Sequence, residues 1–233
     1  MTLKPAAIFW DMDGTLTDSE PLWAIATFEL SEKLGKRITP EVRALTVGSS
    51  FGRTLQICAD YAGYILQPGD EERLRAEMFD RVCELFEQEL DTFDGIRELL
   101  TDLRALDIPM LLTTNTERQV ADFAIDAIGR DFFIDTICGD EVPQPKPAPD
   151  MYLMAAQSVG APPSECLVFE DSTAGMTAAI DAGCRVVGLP ETDSVTVPQG
   201  VVPIGELSGA RHLAGASAGD VLGWFNDTRL LAR

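Results

Sequence analysis

Ala6-Ala7-Ile8-Phe9-Trp10-Asp11-Met12-Asp13-Gly14-Thr15-Leu16-Thr17-Asp18 opens with five apolar residues that have the length and bulk of a buried strand. The run stops on two carboxylates one residue apart, Asp11 and Asp13, and Gly14-Thr15 follows at once. A strand that delivers carboxylates into a polar turn is a poor way to build a core, since buried charge is costly unless it is paired. In an open parallel sheet, however, the carboxyl ends of the strands are where ligands bind.

The chain of 233 residues is long enough for one domain with an insertion or for two modest ones. Hydrophobic residues make up 45%, which indicates an ordered globular protein. The formal net charge of -20 argues against nucleic acid or an anionic membrane surface as partner. The same charge repels a phosphorylated substrate. Any phosphate site must therefore take positive charge locally, from a metal, a lysine or backbone N–H groups. The five cysteines, Cys58, Cys83, Cys138, Cys166 and Cys184, are widely spaced with no Cys-x-x-Cys pair, which predicts free thiols in a reducing compartment. The first residues are too short an apolar run for a signal peptide, and no stretch is long enough to span a membrane, so a cytoplasmic protein is expected. A monomer is the plainest expectation for its assembly.

After Asp18 the pattern becomes helical. Pro21 falls in a first turn behind Ser19, and Leu22, Ile25, Ala26, Leu30 and Leu34 form one apolar face. Thr39-Pro40-Glu41 opens a short helix, Gly48-Ser49-Ser50-Phe51-Gly52 reads as a flexible loop, and Arg53 to Tyr61 and Asp70 to Glu89 read as helices. No strand is expected between Ser19 and about Asp91. From Phe93 onward helices alternate with short apolar strands at Ile108–Thr114, Thr136–Cys138, Glu165–Phe169 and Arg185–Leu189. Alternation at this spacing implies crossover units and a parallel sheet covered on both faces. The expected fold is therefore α/β, a doubly wound, Rossmann-like parallel sheet in residues 1–18 and 92–233, with an all-helical insertion in residues 19–91. The tail beyond Pro190 is harder to read. Val201–Ile204 has the composition of a last strand, and Val221–Leu231 that of a helix.

Three further polar groups stand at strand ends or in a stiff loop. Thr114-Asn115-Thr116 follows a strand and precedes a helix, where a hydroxyl and backbone N–H groups can hold phosphate oxygens; such residues also serve as ordinary turns and caps. Pro145-Lys146-Pro147 sets one of only four lysines in a proline-restricted backbone, which suggests a charge held in place. Glu170-Asp171 ends another strand, and its paired carboxylates suit a hard cation such as Mg²⁺ or the cap of the following helix.

Carboxylates, then Thr-Asn, then Lys, then Glu-Asp occur in the order of the four motifs of the haloacid dehalogenase superfamily. The chain resembles that superfamily from about Ile8 to Leu189. The helical insertion resembles the cap of its sugar phosphatase and β-phosphoglucomutase subgroup. The resemblance implies that Asp11 is the nucleophile and Asp13 the general acid and base. It implies that Met12, Thr114, Asn115 and Lys146 bind the phosphoryl group, and that Mg²⁺ sits on Asp11, Asp13 and Asp171, with Glu170 beside it directly or through water. A small phosphorylated metabolite is the implied substrate. Ser19-Glu20-Pro21-Leu22-Trp23 is similar to the first cap helix of hexose-phosphate phosphatases, which points to a sugar or polyol phosphate. Glu20, Trp23, Ser49, Ser50 and Arg53 are the cap residues expected to read the leaving group. A mutase is the nearer rival, but its cap histidine falls on Trp23 and its cap lysine on Val47. A dehalogenase would lack Asp13 and the Glu170-Asp171 pair, and a non-catalytic binding protein would lose one of these motifs.

Overall fold

The computed structural model describes residues 3–193 and 195–231. Strand β1 (Ala7–Trp10) is followed by helices α1 (Glu20–Lys33), α2 (Pro40–Ala44), α3 (Phe51–Ala62) and α4 (Asp70–Glu89). Helices and strands then alternate as α5 (Ile96–Ala105), β2 (Met110–Thr113), α6 (Arg118–Ile128), β3 (Asp135–Ile137) and α7 (Asp150–Ser158). They continue with β4 (Cys166–Glu170), α8 (Thr173–Asp181), β5 (Arg185–Gly188), β6 (Val202–Pro203), α9 (Ile204–Ser208) and α10 (Ala218–Leu231). The chain divides into two compact units, residues 1–18 with 91–233, and residues 19–90. No helix among the described residues is long and apolar enough to cross a membrane.

The first unit is built on a six-stranded parallel sheet of order β3-β2-β1-β4-β5-β6. Every residue of β1, β2 and β4 is buried, which is why these strands read as unbroken apolar runs rather than as alternating ones. Strand order reverses between β1 and β4, and a crevice opens at the carboxyl edge of such a switch point. Register decides what lies there. Trp10 pairs with Leu112 on one side and Phe169 on the other, so Asp11 comes level with Thr113 and Glu170. The Asp11 N–H donates to the Phe169 carbonyl at 3.1 Å.

Beneath the crevice, Trp10 stacks on Phe169 with ring centroids 4.5 Å apart, and Phe169 meets Trp224 of α10 edge-on. The tail is thus an integral layer: β6 extends the sheet beside β5, and Arg185 lies over the Phe225 ring while donating to the Phe225 carbonyl. His212, which its isolation in the sequence would place on the surface, is half-buried and stacks on Phe93 at 5.2 Å. Thr17 and Thr92 form an antiparallel bridge, and the Phe93 N–H donates to the Leu16 carbonyl, so the segments flanking the insertion are paired with each other.

The second unit is entirely helical. Leu22, Ala26, Leu30 and Leu34 are buried as one stripe, whereas Ile25 is 37% exposed; its position one residue before Ala26 turns it off that stripe. Arg81 of α4 binds Glu29 of α1 with two nitrogens, and Lys33 pairs with Glu77, so the two long helices are tied along their length. The expected flexible loop at 48–52 is shorter than the glycines suggested. Ser50 caps α3 by accepting from the Arg53 N–H, and Phe51 and Gly52 already belong to the first turn.

Candidate active site

Four side chains converge at the carboxyl edge of β1 and β4. Lys146 is 6% exposed, and its Nζ donates to Asp11 Oδ1 at 2.7 Å, to the Thr113 carbonyl at 2.9 Å and to Glu170 Oε1. An ammonium has three hydrogens, and all three are used. The lysine backbone is fixed as well. The Asn115 amide donates to the Lys146 carbonyl at 3.0 Å and accepts from the Lys146 N–H at 2.9 Å. Asn115, read from the sequence as part of a phosphate cradle, therefore spends its side chain on holding the lysine loop.

Glu170 is completely buried. Its Oε1 also accepts from the Tyr152 hydroxyl, and its Oε2 accepts from the Ser172 hydroxyl at 3.2 Å. Ser172 in turn caps α8 by accepting from the Gly175 N–H. A β-carbon at Gly175 would collide with all of the Glu170 carboxylate, so glycine is required where the helix passes beneath it. Gly175→Ala is expected to destabilise the protein by about 2 kcal/mol in urea unfolding, although alanine is the better helix former. A midpoint unchanged or raised would show that the carboxylate has room to move. Likewise a β-carbon at Gly14, whose φ is +80°, would strike Asp171 Oδ2, so the Asp171 carboxylate rests against the turn that follows Asp13.

Asp13 is half-buried, and its Oδ2 accepts from the Thr116 hydroxyl at 2.7 Å and from the Thr114 hydroxyl at 3.4 Å. The Thr114 hydroxyl also accepts from the Thr116 N–H at 3.0 Å, which shapes this turn. Met12 buries its side chain, while its carbonyl gathers the N–H groups of Thr15, Leu16 and Thr17 into a tight loop. Sequence reasoning missed Tyr152, Ser172 and Gly139. A β-carbon at Gly139 would strike the backbone of Asn115, and only spatial proximity, not spacing, could have shown this.

The charges explain one another. Burial, with the Glu170 carboxylate beside it, pushes the Asp11 carboxyl up to about 7, against the pull of Lys146. Burial and then Asp11 and Glu170 hold Asp171 well above the usual carboxylate range. Burial opposes the Lys146 charge, yet Asp11 and Glu170 keep that ammonium well above the ordinary lysine value. One lysine thus under-compensates three clustered carboxylates. Oxygens of Asp11, Glu170 and Asp171 all lie within 4.8 Å of one another, a hard oxygen set that fits Mg²⁺. Both oxygens of Glu170 already accept hydrogen bonds, two at Oε1 and one at Oε2, and Asp11 Oδ1 accepts from Lys146.

Glu20, Trp23, Ser49, Ser50 and Arg53 belong to the other unit. Glu20 pairs with the buried Arg43 at 2.7 Å, and Arg43 also donates to the Thr46 hydroxyl. Trp23 is half-buried and edge-on to Phe79 and Phe86, which gives part of the indole to helix packing. Ser49 donates to the Leu45 carbonyl, Ser50 is the α3 cap, and Arg53 is exposed.

A doubly wound parallel sheet with a lysine-bridged acidic cluster at its switch point is not a dinucleotide site, which needs a glycine-rich phosphate turn after β1. Residues 5–183 match the family model of haloacid dehalogenase-like hydrolases. The chain belongs to this family. It is 34% identical over 190 residues to a Drosophila melanogaster protein named "Probable pseudouridine-5'-phosphatase", covering 78% of this chain and 80% of that one. It is 30% identical over 223 residues to hexitol phosphatase B of Escherichia coli, covering 94% and 96%. Among solved structures, CbbY from Rhodobacter sphaeroides in complex with phosphate superposes with a TM-score of 0.70 at 26% identity, over 81% of this chain and 87% of that one.

Proposed function

We propose that the chain is a magnesium-dependent phosphatase that hydrolyses small phosphate monoesters, with sugar or polyol phosphates as its substrate class. The observation that carries this reading is the buried Asp11–Lys146–Glu170 cluster, with Asp171 beside it, at the switch point between β1 and β4. Asp11 attacks phosphorus with a carboxylate oxygen, the bond from phosphorus to the leaving oxygen breaks, and an aspartyl-phosphate forms. Asp13 gives its proton to the departing alkoxide. It then takes a proton from the water that attacks the acyl-phosphate, which returns Asp11 and inorganic phosphate. Asp13 must exchange its hydrogen bonds from Thr116 and Thr114 for these partners during turnover.

Lys146 holds Asp11 Oδ1 in one orientation throughout, because the lysine itself has no spare hydrogen with which to move. The Thr114 hydroxyl and the N–H groups of Met12 and Asn115 receive the phosphoryl oxygens. Asp11, the Asp13 carbonyl and Asp171 would hold Mg²⁺, with Glu170 tied back by Lys146 and Tyr152. When bound, the ion neutralises carboxylates that would otherwise repel the phosphate at about 4 kcal/mol per like pair 4 Å apart. Glu20, Trp23, Ser49, Ser50 and Arg53 of the helical unit are the residues proposed to recognise the leaving group.

Similarity to hexitol phosphatase B along nearly the whole of both chains supports a sugar-alcohol or sugar phosphate. The name of the Drosophila relative supports a second reading, a nucleoside monophosphate. A panel of phosphate monoesters assayed with Mg²⁺ and with excess chelator tests both. Hexose and hexitol phosphates are expected to be hydrolysed at least about tenfold more efficiently than pseudouridine 5'-phosphate, nucleotides or phosphoamino acids, a difference of about 1.4 kcal/mol in kcat/KM. Chelator is expected to abolish all of these activities. A preference for nucleoside phosphates would overturn the sugar assignment, and full activity in chelator would overturn the metal.

A further inference from the structure

Tyr152 sits on the buried face of α7 with Met151, Ala155 and Ala156, and it is completely enclosed. Its ring stacks with Phe9 at 6.4 Å between centroids, a contact that phenylalanine would make equally well. The hydroxyl is different. In a dry interior it needs a partner, and it donates to Glu170 Oε1, the oxygen that also accepts from Lys146 Nζ. The same ring lies 5.3 Å from Lys146 Nζ, so one side chain meets the carboxylate with its edge and the ammonium with its face.

We propose that Tyr152 is a positioning residue for the nucleophile, acting through Glu170 and Lys146. The hydroxyl fixes Glu170 Oε1, Oε1 fixes Lys146 Nζ, and Nζ fixes Asp11 Oδ1 at 2.7 Å. The inference rests on the reading of Asp11 as the attacking group. Without the hydroxyl, Glu170 Oε1 keeps only its bond from the lysine, and the remaining tether, from Ser172 to Oε2, lets the carboxylate turn. The lysine follows the carboxylate, and Asp11 follows the lysine. Misplacement of a reacting atom by about 1 Å can cost on the order of a hundredfold in rate.

Tyr152→Phe deletes one oxygen and keeps the ring, its stack and its volume. Its kcat on the best substrate from the panel is expected to fall about tenfold to a hundredfold, with KM within about twofold, because the phenol touches the nucleophile's support and not the ester. Ser172→Ala, which loosens the same carboxylate from the other oxygen, is expected to lower kcat in the same sense but less. A Tyr152→Phe protein whose melting temperature falls while kcat stays within twofold of the parent would reduce the hydroxyl to a satisfied buried group and overturn the proposal. So would a rise in KM at constant kcat. If the parent protein itself shows no turnover, or if Asp11→Asn retains it, the nucleophile reading fails instead, and the two failures are thereby told apart.

Discussion

Asp11→Asn is expected to lower kcat by about 10⁴-fold or more while leaving the fold intact, because an amide cannot form an acyl-phosphate. The asparagine has the carboxylate's shape and keeps an oxygen for Lys146 Nζ, so the crevice need not rearrange. A second readout separates this loss from unfolding. The folded-state pKa of Asp11 is raised from 3.8 to about 7, so the folded protein holds a proton that the unfolded chain releases. The charged carboxylate therefore costs stability; the cost is absent below about pH 4, grows as pH rises through that window and is complete above about 7. In chelator, the variant is expected to match the parent near pH 4 and to exceed it above pH 7, by at most about 4 kcal/mol. Urea unfolding at both pH values measures this. Activity above about one per cent of the parent in freshly purified variant would remove the covalent mechanism.

Lys146→Met is expected to destabilise the chelated protein by about 3–5 kcal/mol at neutral pH, since it strips the ammonium from two buried carboxylates. Methionine fills most of the space and takes none of the charge. The raised folded-state pKa of Lys146 means that its contribution is fully present up to the ordinary lysine value and is lost only as pH rises through the folded one. The deficit of the variant should accordingly hold across neutral pH. It should shrink toward pH 4, below the raised pKa of Asp11, where that partner is already neutral. Mg²⁺ is expected to recover part of the lost stability by mass action but not the turnover, because Asp11 Oδ1 no longer has its anchor. Equal recovery of both would mean that the lysine serves only as a counter-charge.

The α/β class was legible because β1, β2 and β4 are apolar on both faces and their polar residues fall immediately after them. The rigidity around Lys146 could be read from its prolines. What the prolines cannot express is the Asn115 clamp, which joins residues 31 positions apart. Tyr152 escaped for a similar reason. Along the helix it is one more apolar-face residue, and only the sheet register that sets Glu170 beside Asp11 gives its hydroxyl a destination. Ser49 and Ser50 also carry local bonds that spacing did not show: one donates to the Leu45 carbonyl and the other caps α3, as short hydroxyl side chains next to helix ends do. The tail was obscure because β6 is only two residues long, too short for any period to show.

The Thr17–Thr92 bridge bears on how the chain finds its native state. β1 pairs with β2 from Ile8 to Met110, so this contact must close a loop of about a hundred residues, whereas β2–β3 and β4–β5 close loops of about 25 or fewer, and the entropy cost grows with the logarithm of length. The contacts of α1 to α4 are local by comparison, and local structure forms sooner than distant pairing. Once those helices have condensed, the effective loop is far shorter than the sequence between its ends. The insertion is then more than cargo carried by the sheet: its own collapse shortens the distance over which β1 must find β2.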